Sequence, residues 1–129
     1  MQTFKKEERL SKTKAINKLF SEGEKFTIAP FRIVWLDMDI EVNYPAQVLI
    51  AVSKKYFKRA VDRNLLKRRI REAYRKNKVD FYASLNKNEK KCVFALLYNS
   101  DELASYKDIE EKIILILHRL QTIHENIIE

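Results

Sequence analysis

The sequence predicts an α+β fold in which a sheet of about four strands is sandwiched with helices. The 129 residues match the length of one typical domain, here 1–129. Hydrophobic residues make up 46% of the chain, which is enough for a core and argues against disorder. Strand-like and helix-like apolar patterns follow each other in the order α-β-β-(β)-α-β-α, so helices and strands share the domain.

The N-terminal part predicts one helix and two strands. In RLSKTKAINKLFSEGEK, Ile16 and Phe20 have helical spacing, and Gly23 suits the left-handed position after the last turn. β-Branched and aromatic residues then favour two antiparallel strands at 31–38 and 47–53, separated by the turn-forming DIEVNYPA. A short strand near Phe26 would complete the sheet.

The C-terminal part predicts two helices on either side of a buried strand. Residues 58–77 have a helical pattern, which can continue through VDFYASL. The seven apolar residues of CVFALLY indicate a strand in the core. The last helix begins near Ser105, because Ser105-x-x-Asp108 is close to a capping box.

Positive charge is concentrated in one segment of the chain. The formal net charge is +8 and the pI is about 9.6. Residues 53–78 contain twelve Lys and Arg and two acids, a net of +10, so the rest of the chain sums to −2. From Ser100 onward, seven acids outnumber three bases. The charge distribution therefore predicts a polyanionic partner that binds the 53–78 segment.

Cysteine use and hydropathy indicate the cytoplasm. Cys92 is the one cysteine, so an intrachain disulfide is impossible and a reducing compartment fits. No run reaches the roughly 18 apolar residues of a membrane span. The N-terminal MQTFKKEERLSK has no apolar signal-peptide core. We expect a cytoplasmic protein without a membrane partner.

Residues 58–77 place their cations along one side of the predicted helix, since side chains three and four apart share a face. The apolar Leu66, Ile70 and Ala73 are offset from that side, so they can pack inward while the charges bind phosphates. We call the charged side, with its neutral amide, the cationic row: Arg59, Arg63, Asn64, Lys67, Arg68, Arg71 and Arg75.

A solvated helix face is the ordinary alternative reading of such a run of charges. Glu72 is the main acid in the row and lies four residues after Arg68, where it can orient that guanidinium. Asn64 adds a donor and an acceptor but no charge, which suits recognition more than solubility. The local net charge of +10 favours a nucleic acid over a solvated surface.

The same segment resembles the protein subunit of bacterial ribonuclease P. That family carries the signature A-V-x-R-N-x-x-K-R-x-x-R-E, which Ala60 to Glu72 match. The preceding VSKK and the N-terminal L…LFSEG, ending at Gly23, also resemble the family. The family often carries an aromatic residue where this chain has Ile16, and a glycine where it has Tyr56-Phe57.

The resemblance implies a fold, a partner and a division of labour. It implies a left-handed β-α-β crossover formed by the basic helix, and a monomer that binds ribonuclease P RNA in a 1:1 ribonucleoprotein. The RNA subunit would perform the hydrolysis with Mg²⁺ held on RNA. The protein would then need no catalytic residue, metal or cofactor of its own, and would hold the 5′ leader of precursor tRNA in a cleft.

The family's roles can be assigned to residues of this chain. Those implied to contact the catalytic RNA are Lys54, Lys55, Arg59, Arg63, Asn64, Lys67, Arg68, Arg71 and Arg75. Those implied to line the leader cleft are Ile16, Phe20, Arg32 and Val34. Arg32 and Val34 alternate with the apolar Phe31 and Ile33 along a strand, so they face the opposite side of the sheet.

Other chemistry finds less support in the sequence. His118 and His124 are six residues apart, so they do not share a helix face as a metal pair would. Asp37, Asp39 and Glu41 alternate and could be metal ligands, but a solvated hairpin end is the simpler reading. A single glycine excludes a phosphate-binding P-loop and a dinucleotide fingerprint. Cys92 is expected to pack in the core.

Three alternatives stay open from the residues alone. The aromatic residues beside the row, Tyr56, Phe57 and Tyr74, could stack on RNA or anchor the helix, and anchoring is favoured. A non-catalytic, ribosomal-type RNA- or DNA-binding module would share the charge pattern. An independent nuclease would cleave RNA as the purified protein.

Overall fold

The structure, a computed structural model, describes residues 3–125. It contains four strands and four α-helices among these residues. In chain order they are α1 (Thr13–Glu22), β1 (Glu24–Ile28), β2 (Phe31–Asp37), β3 (Ala46–Val52), α2 (Ala60–Asn77), α3 (Val79–Lys87), β4 (Cys92–Tyr98) and α4 (Tyr106–Glu125). The α+β class and the short strand near Phe26 are confirmed.

The strands form one sheet in the order β1-β2-β4-β3. β2 is antiparallel to β1 and β4, whereas β3 is parallel to β4. β2 and β3 therefore run in opposite directions, as predicted, but they are not neighbours, and DIEVNYPA is not a hairpin turn. The reason is β4, whose residues from Cys92 to Leu96 are fully buried and so take a central place between the two.

Helices cover the two faces of the sheet unequally. α2, α3 and α4 pack on one face, where Phe31 and Phe94 belong to the larger core. α1 packs on the other face, where Leu19 contacts a smaller core that includes Val34 and Ala95. Because β3 and β4 are parallel neighbours, the chain must cross the sheet between them, and α2 and α3 form that crossover.

Gly23 ends α1, but not in the predicted left-handed conformation. Its φ of −71° and ψ of 155° are extended, and its N–H donates to the Leu19 carbonyl at 2.8 Å. A Cβ atom at this position would meet that carbonyl oxygen and lie 2.7 Å from Cγ1 of Val34. Glycine is needed here because α1 approaches β2 closely, and not because of the sign of φ.

α2 buries the predicted apolar stripe and then gives way to a separate helix. Leu66, Ile70 and Ala73 are fully buried, and Tyr74 lies beside them in the core. Helix content continues through VDFYASL as expected, but as the separate helix α3, because α2 ends at Asn77 and Lys78 lies between the two helices. Tyr74 therefore anchors the helix, as the favoured alternative predicted.

A buried polar network that the sequence did not reveal holds the N-terminal arm, residues 3–12. Glu8 accepts hydrogen bonds from the Lys78 ammonium, from the Tyr82 hydroxyl at 2.6 Å and from the Lys5 backbone N–H at 2.7 Å. Lys78 also donates to the carbonyl of Thr3. The side chains of Glu8 and Lys78 are 0% and 7% exposed, so the pair is shielded from water.

The N-terminal arm covers the outer edge of β3. The Leu10 N–H donates to the Val48 carbonyl at 2.9 Å, and Arg9 forms a parallel bridge with Val48. An uncovered strand edge offers unpaired backbone groups to other chains. The network around Glu8 therefore protects the sheet as well as fixing the arm.

The C-terminal helix begins as predicted, since the Asp108 N–H donates to the Ser105 hydroxyl oxygen at 3.2 Å. Near its other end His124 is buried, with Nε2 2.6 Å from Oδ1 of Asp37 and Nδ1 2.8 Å from the Leu120 carbonyl oxygen. This histidine thus ties α4 to the end of β2.

Two smaller predictions concern the core and the membrane. Cys92 is fully buried in the larger core, as expected, and burial raises the pKa of its thiol. Among residues 3–125, no helix combines the length and the apolar content that a bilayer crossing requires.

Candidate RNA-binding surfaces

α2 presents the cationic row outside its buried stripe of Leu66, Ile70 and Ala73. Arg59 precedes the helix in an extended conformation, so the helical part of the row begins at Arg63. From there to Arg75 it spans about 18 Å at 1.5 Å per residue. Asn64 and Arg68 are exposed, and the half-buried members are Arg63, Lys67, Arg71 and Arg75.

Arg63 is partly committed to the protein's own backbone. Its Nη1 donates to the carbonyl oxygens of Phe57 at 2.7 Å and of Lys58 at 2.9 Å. These carbonyls belong to the turn at residues 53–59, which links β3 to α2. Phe57 is buried and anchors that turn, as favoured, whereas Tyr56 is exposed. The structure therefore brings Arg63 and the turn lysines together.

Arg71 faces a second cation, Arg9, that was not predicted from the sequence. A cavity of about 220 Å³ lies between the N-terminal arm, β3 and α2, and its lining includes Arg9, Arg71, Phe4 and Leu49. The guanidinium of Arg9 lies 5.4 Å from the centroid of the Phe4 ring. Burial, and then the positive charges of Arg9 and Arg68, lower the pKa of Arg71. A phosphate group would relieve this repulsion.

The acid within the row has a different partner from the predicted one. Glu72 accepts hydrogen bonds from Arg75, from Nε at 3.0 Å and from Nη2 at 2.7 Å, and does not orient Arg68. An acid placed before the base along a helix is the more favourable order, which explains the choice. The Arg75 hydrogen bonds lower the pKa of Glu72. Arg68 keeps an exposed guanidinium.

A groove runs beside α1 on the sheet face opposite to α2. It encloses about 190 Å³, and its lining includes Phe20, Lys25, Arg32, Val34 and Leu97. The predicted alternation is confirmed, because Val34 belongs to the smaller core under α1 while its neighbours in β2 face the larger core. The groove therefore combines an aromatic ring, two cations and an apolar floor.

The predicted cleft residues differ in how much of each reaches this groove. Phe20 is 39% exposed and Arg32 is exposed, so both can contact a ligand. Val34 is only 3% exposed and forms the floor. Ile16 is half-buried and packs in the smaller core beneath α1. Three of the four predicted residues line the groove together, and Ile16 does not line it.

The strand register shows how an extended ligand could cross the sheet. On the groove face, Thr27 of β1 is paired with Arg32 of β2, Arg32 with Leu97 of β4, and Leu97 with Ala51 of β3. Adjacent strands lie about 4.8 Å apart, so this line of four residues is about 14 Å long. It ends at Ala51, two residues before the cationic turn.

The sequence profile of the family described as Ribonuclease P matches residues 4–121. This chain belongs to the ribonuclease P protein family. The ribonuclease P protein component of Porphyromonas gingivalis is 40% identical over 106 residues, which cover 81% of this chain and 77% of the relative. That of Petrotoga mobilis is 39% identical over 80 residues, which cover 62% of this chain and 64% of the relative.

Solved structures of ribonuclease P proteins have the same fold. The RNase P protein from Thermotoga maritima matches with a TM-score of 0.68 at 22% identity, covering 87% of this chain and 96% of that one. An RNase P protein from Staphylococcus aureus matches with a TM-score of 0.64 at 19% identity, covering 88% and 96%. At these identities the likeness concerns the fold alone.

Membership of the ribonuclease P protein family confirms the resemblance on which the function was predicted. The chain is a protein component of ribonuclease P, an endoribonuclease that processes tRNA, and its partner is ribonuclease P RNA. The ribosomal-type alternative is not favoured. The contacts of individual residues with RNA, and the roles of the cleft residues, stay predictions.

The structure also bears on the residues set aside as metal ligands. Within residues 3–125, no three His, Cys, Asp or Glu side chains are grouped so that they could hold a metal ion. Arg9 and Lys25 were not among the cations predicted to line either surface. Each is an ordinary charge in its local sequence, and only the pairing of the N-terminal arm with β3 and of β1 with β2 places it beside a predicted site.

Proposed function

We propose that this protein binds ribonuclease P RNA through the cationic row and holds the 5′ leader of precursor tRNA in the groove beside α1. The observation that carries the proposal is the placement of these two cationic surfaces on opposite faces of one sheet. Because they are separate, two RNA segments can bind at once without competing for the same side chains.

The row suits a folded RNA. Its guanidinium groups present planar forks that match phosphate oxygens, and the exposed Asn64 can donate to or accept from a base or ribose. Arg9 extends the positive surface beyond α2 by facing Arg71. Release of counterions from the RNA would make binding strongly dependent on salt.

The groove suits a single strand. Stacking on an aromatic ring and attraction to nearby cations are tolerant of base sequence, and Phe20 with Arg32 and Lys25 supplies both. The leader is present in the substrate and absent from mature tRNA. Contacts to it therefore favour substrate over product and do not hold the product after cleavage.

In this proposal the protein supplies binding and the RNA subunit supplies the hydrolysis, with Mg²⁺ on the RNA. No protein side chain takes or gives a proton in the reaction. The protein acts in the cytoplasm as a monomer in a 1:1 ribonucleoprotein. Native mass spectrometry of the reconstituted complex measures that stoichiometry, and a second copy of the protein would contradict it.

The central experiment compares substrate and product binding after loss of one ring. Phe20→Ala should weaken binding of leader-bearing precursor tRNA to the reconstituted complex, and leave mature tRNA binding unchanged. Removing one base-stacking contact costs about 1–3 kcal/mol, so a loss of roughly five-fold or more is expected. Leu115→Ala is the matched control, because Leu115 is a large apolar side chain that is 51% exposed on α4, outside both the groove and the cationic row.

The outcomes separate the alternatives. An equal loss for precursor and mature tRNA would remove Phe20 from leader binding. Processing of precursor tRNA by the purified protein in Mg²⁺, without any RNA subunit, would instead support an independent nuclease.

A further inference from the structure

The turn at residues 53–59 is a compact, strongly cationic segment with a defined conformation. Lys54, Lys55, Lys58 and Arg59 are all exposed. In the described part of the chain, none of these four cations lies in a salt bridge with a carboxylate. Four neighbouring like charges repel one another, so an isolated turn of this composition would spread its side chains apart.

Internal hydrogen bonds hold the turn against that repulsion. The Lys55 N–H donates to the Ser53 hydroxyl oxygen at 3.0 Å, and the Phe57 N–H donates to the Ser53 carbonyl at 3.2 Å. Phe57 is buried and its ring lies 6.4 Å from that of Tyr98. The start of the turn is thus fixed by one serine and one aromatic residue.

Arg63 fixes the other end. Its Nη1 donates to two successive carbonyl oxygens, those of Phe57 and Lys58, just before α2 begins. A guanidinium Nη carries two hydrogens, so these bonds use both of them. The side chain reaches back from the first turn of the helix, and joins the rigid α2 to the segment that carries the lysines.

We propose that Arg63 is a positioning residue that orders the cationic turn, and that this turn is a preformed surface for the phosphodiester backbone of folded RNA. The inference rests on the proposed RNA binding and adds Lys58, Ser53 and this role of Arg63. Ordering the turn holds its exposed cations where they can contact successive phosphates, and it lowers the entropy lost when RNA binds. Arg63 therefore acts mainly through its neighbours, and loss of Arg63 removes several phosphate contacts.

The test measures the salt dependence of affinity for a bacterial ribonuclease P RNA. Each phosphate contact contributes about 0.7–0.9 to the slope of log K against log salt. Arg63→Ala should lower the magnitude of this slope by more than the contribution of one phosphate contact. The matched control Arg68→Ala, an exposed arginine five residues further along α2, should lower the magnitude of the slope by one contact. Ser53→Ala removes no charge, yet should also lower the slope, because it loosens the turn.

A triple variant then asks whether Arg63 acts through the turn. The background protein carries Lys54→Ala, Lys55→Ala and Lys58→Ala. Adding Arg63→Ala to it should lower the magnitude of the salt slope little further. Adding Arg68→Ala to it should still lower that magnitude by one full contact. A second measurement needs no RNA. Hydrogen exchange of the Lys55 and Phe57 amides in the free protein should accelerate in the Arg63 variant and stay unchanged in the Arg68 control.

The results distinguish a wrong positioning role for Arg63 from a wrong RNA-binding surface. If Arg63→Ala lowers the slope by one contact in both backgrounds, and amide exchange is unchanged, Arg63 binds phosphate directly and the positioning role is wrong. If Arg68→Ala and the triple variant both leave the slope unaltered, the proposed RNA surface itself is wrong, whatever the exchange rates show.

Discussion

Removal of the Glu8 carboxylate should destabilise this protein more than the loss of any exposed charge. Glu8 lies in the short 3-10 turn at Lys6–Glu8, a segment where the sequence shows only a run of charged residues of both signs. Its side chain is fully buried and accepts three hydrogen bonds, including that of the Lys78 ammonium. Glu8→Ala would leave a cation in the protein interior without its counter-charge.

The size of the effect follows from that burial. Breaking a buried ion pair by removing one partner costs about 3–5 kcal/mol, because the remaining charge is unpaired. Lys78 keeps its bond to the Thr3 carbonyl, and the alanine leaves room for water, so we expect the lower end, about 3 kcal/mol. For a chain of this length that corresponds to a fall in Tm of roughly 10 °C.

Urea unfolding followed by circular dichroism measures the change. Glu72→Ala is the control, since the side chains of Glu72 and Arg75 are 45% and 31% exposed, so water screens the pair and the midpoint should hardly move. The double variant Glu8→Met with Lys78→Met should be more stable than Glu8→Ala, because it leaves no lone charge. If Glu8→Ala unfolds at the same urea concentration as Glu72→Ala, the buried pair does not hold the N-terminal arm as argued.

Three further outcomes test the core and the RNA surface. Gly23→Ala should lower the free energy of unfolding by about 1–3 kcal/mol in urea titrations, because its Cβ would press on the Leu19 carbonyl; an unchanged midpoint would contradict that close approach. Cys92 should not react with a thiol reagent at pH 8 until the protein unfolds, because burial raises its pKa and keeps the thiol protonated; fast labelling of the native protein would contradict this. Arg9→Ala should lower the salt slope of RNA binding by about 0.7–0.9, as one lost phosphate contact; an unaltered slope would show that Arg9 and Arg71 do not share a phosphate.

Local patterns of the chain were sufficient for most of the elements. The continuous apolar run of β4 and the stripe of Leu66 and Ile70 predicted a buried strand and an inward helix face, and both are found. The order of Arg63, Asn64 and the basic residues after them was sufficient to assign the family. These features are encoded by neighbours three or four residues apart, or by alternation, so they can be read without knowing the fold.

Pairing across the sheet was not visible in the same way. The antiparallel direction of β2 and β3 was predicted, but the insertion of β4 between them depends on burial of both its faces and on the long crossover through α2. The prediction that Gly23 is left-handed was wrong for a similar reason. Its restriction comes from the approach of α1 to β2, a contact between separate elements.

By itself, the sequence determined the α+β class, one charged helix face, and membership of the ribonuclease P protein family. The tertiary structure alone decided which charges are available to RNA. Arg63 bonds to the turn before its helix, Arg75 bonds to Glu72, and Arg9 joins the surface from 62 residues away, opposite Arg71. The physical reason is that a charge is free or committed according to the groups that folding brings within hydrogen-bond distance, and most of these are distant in the chain.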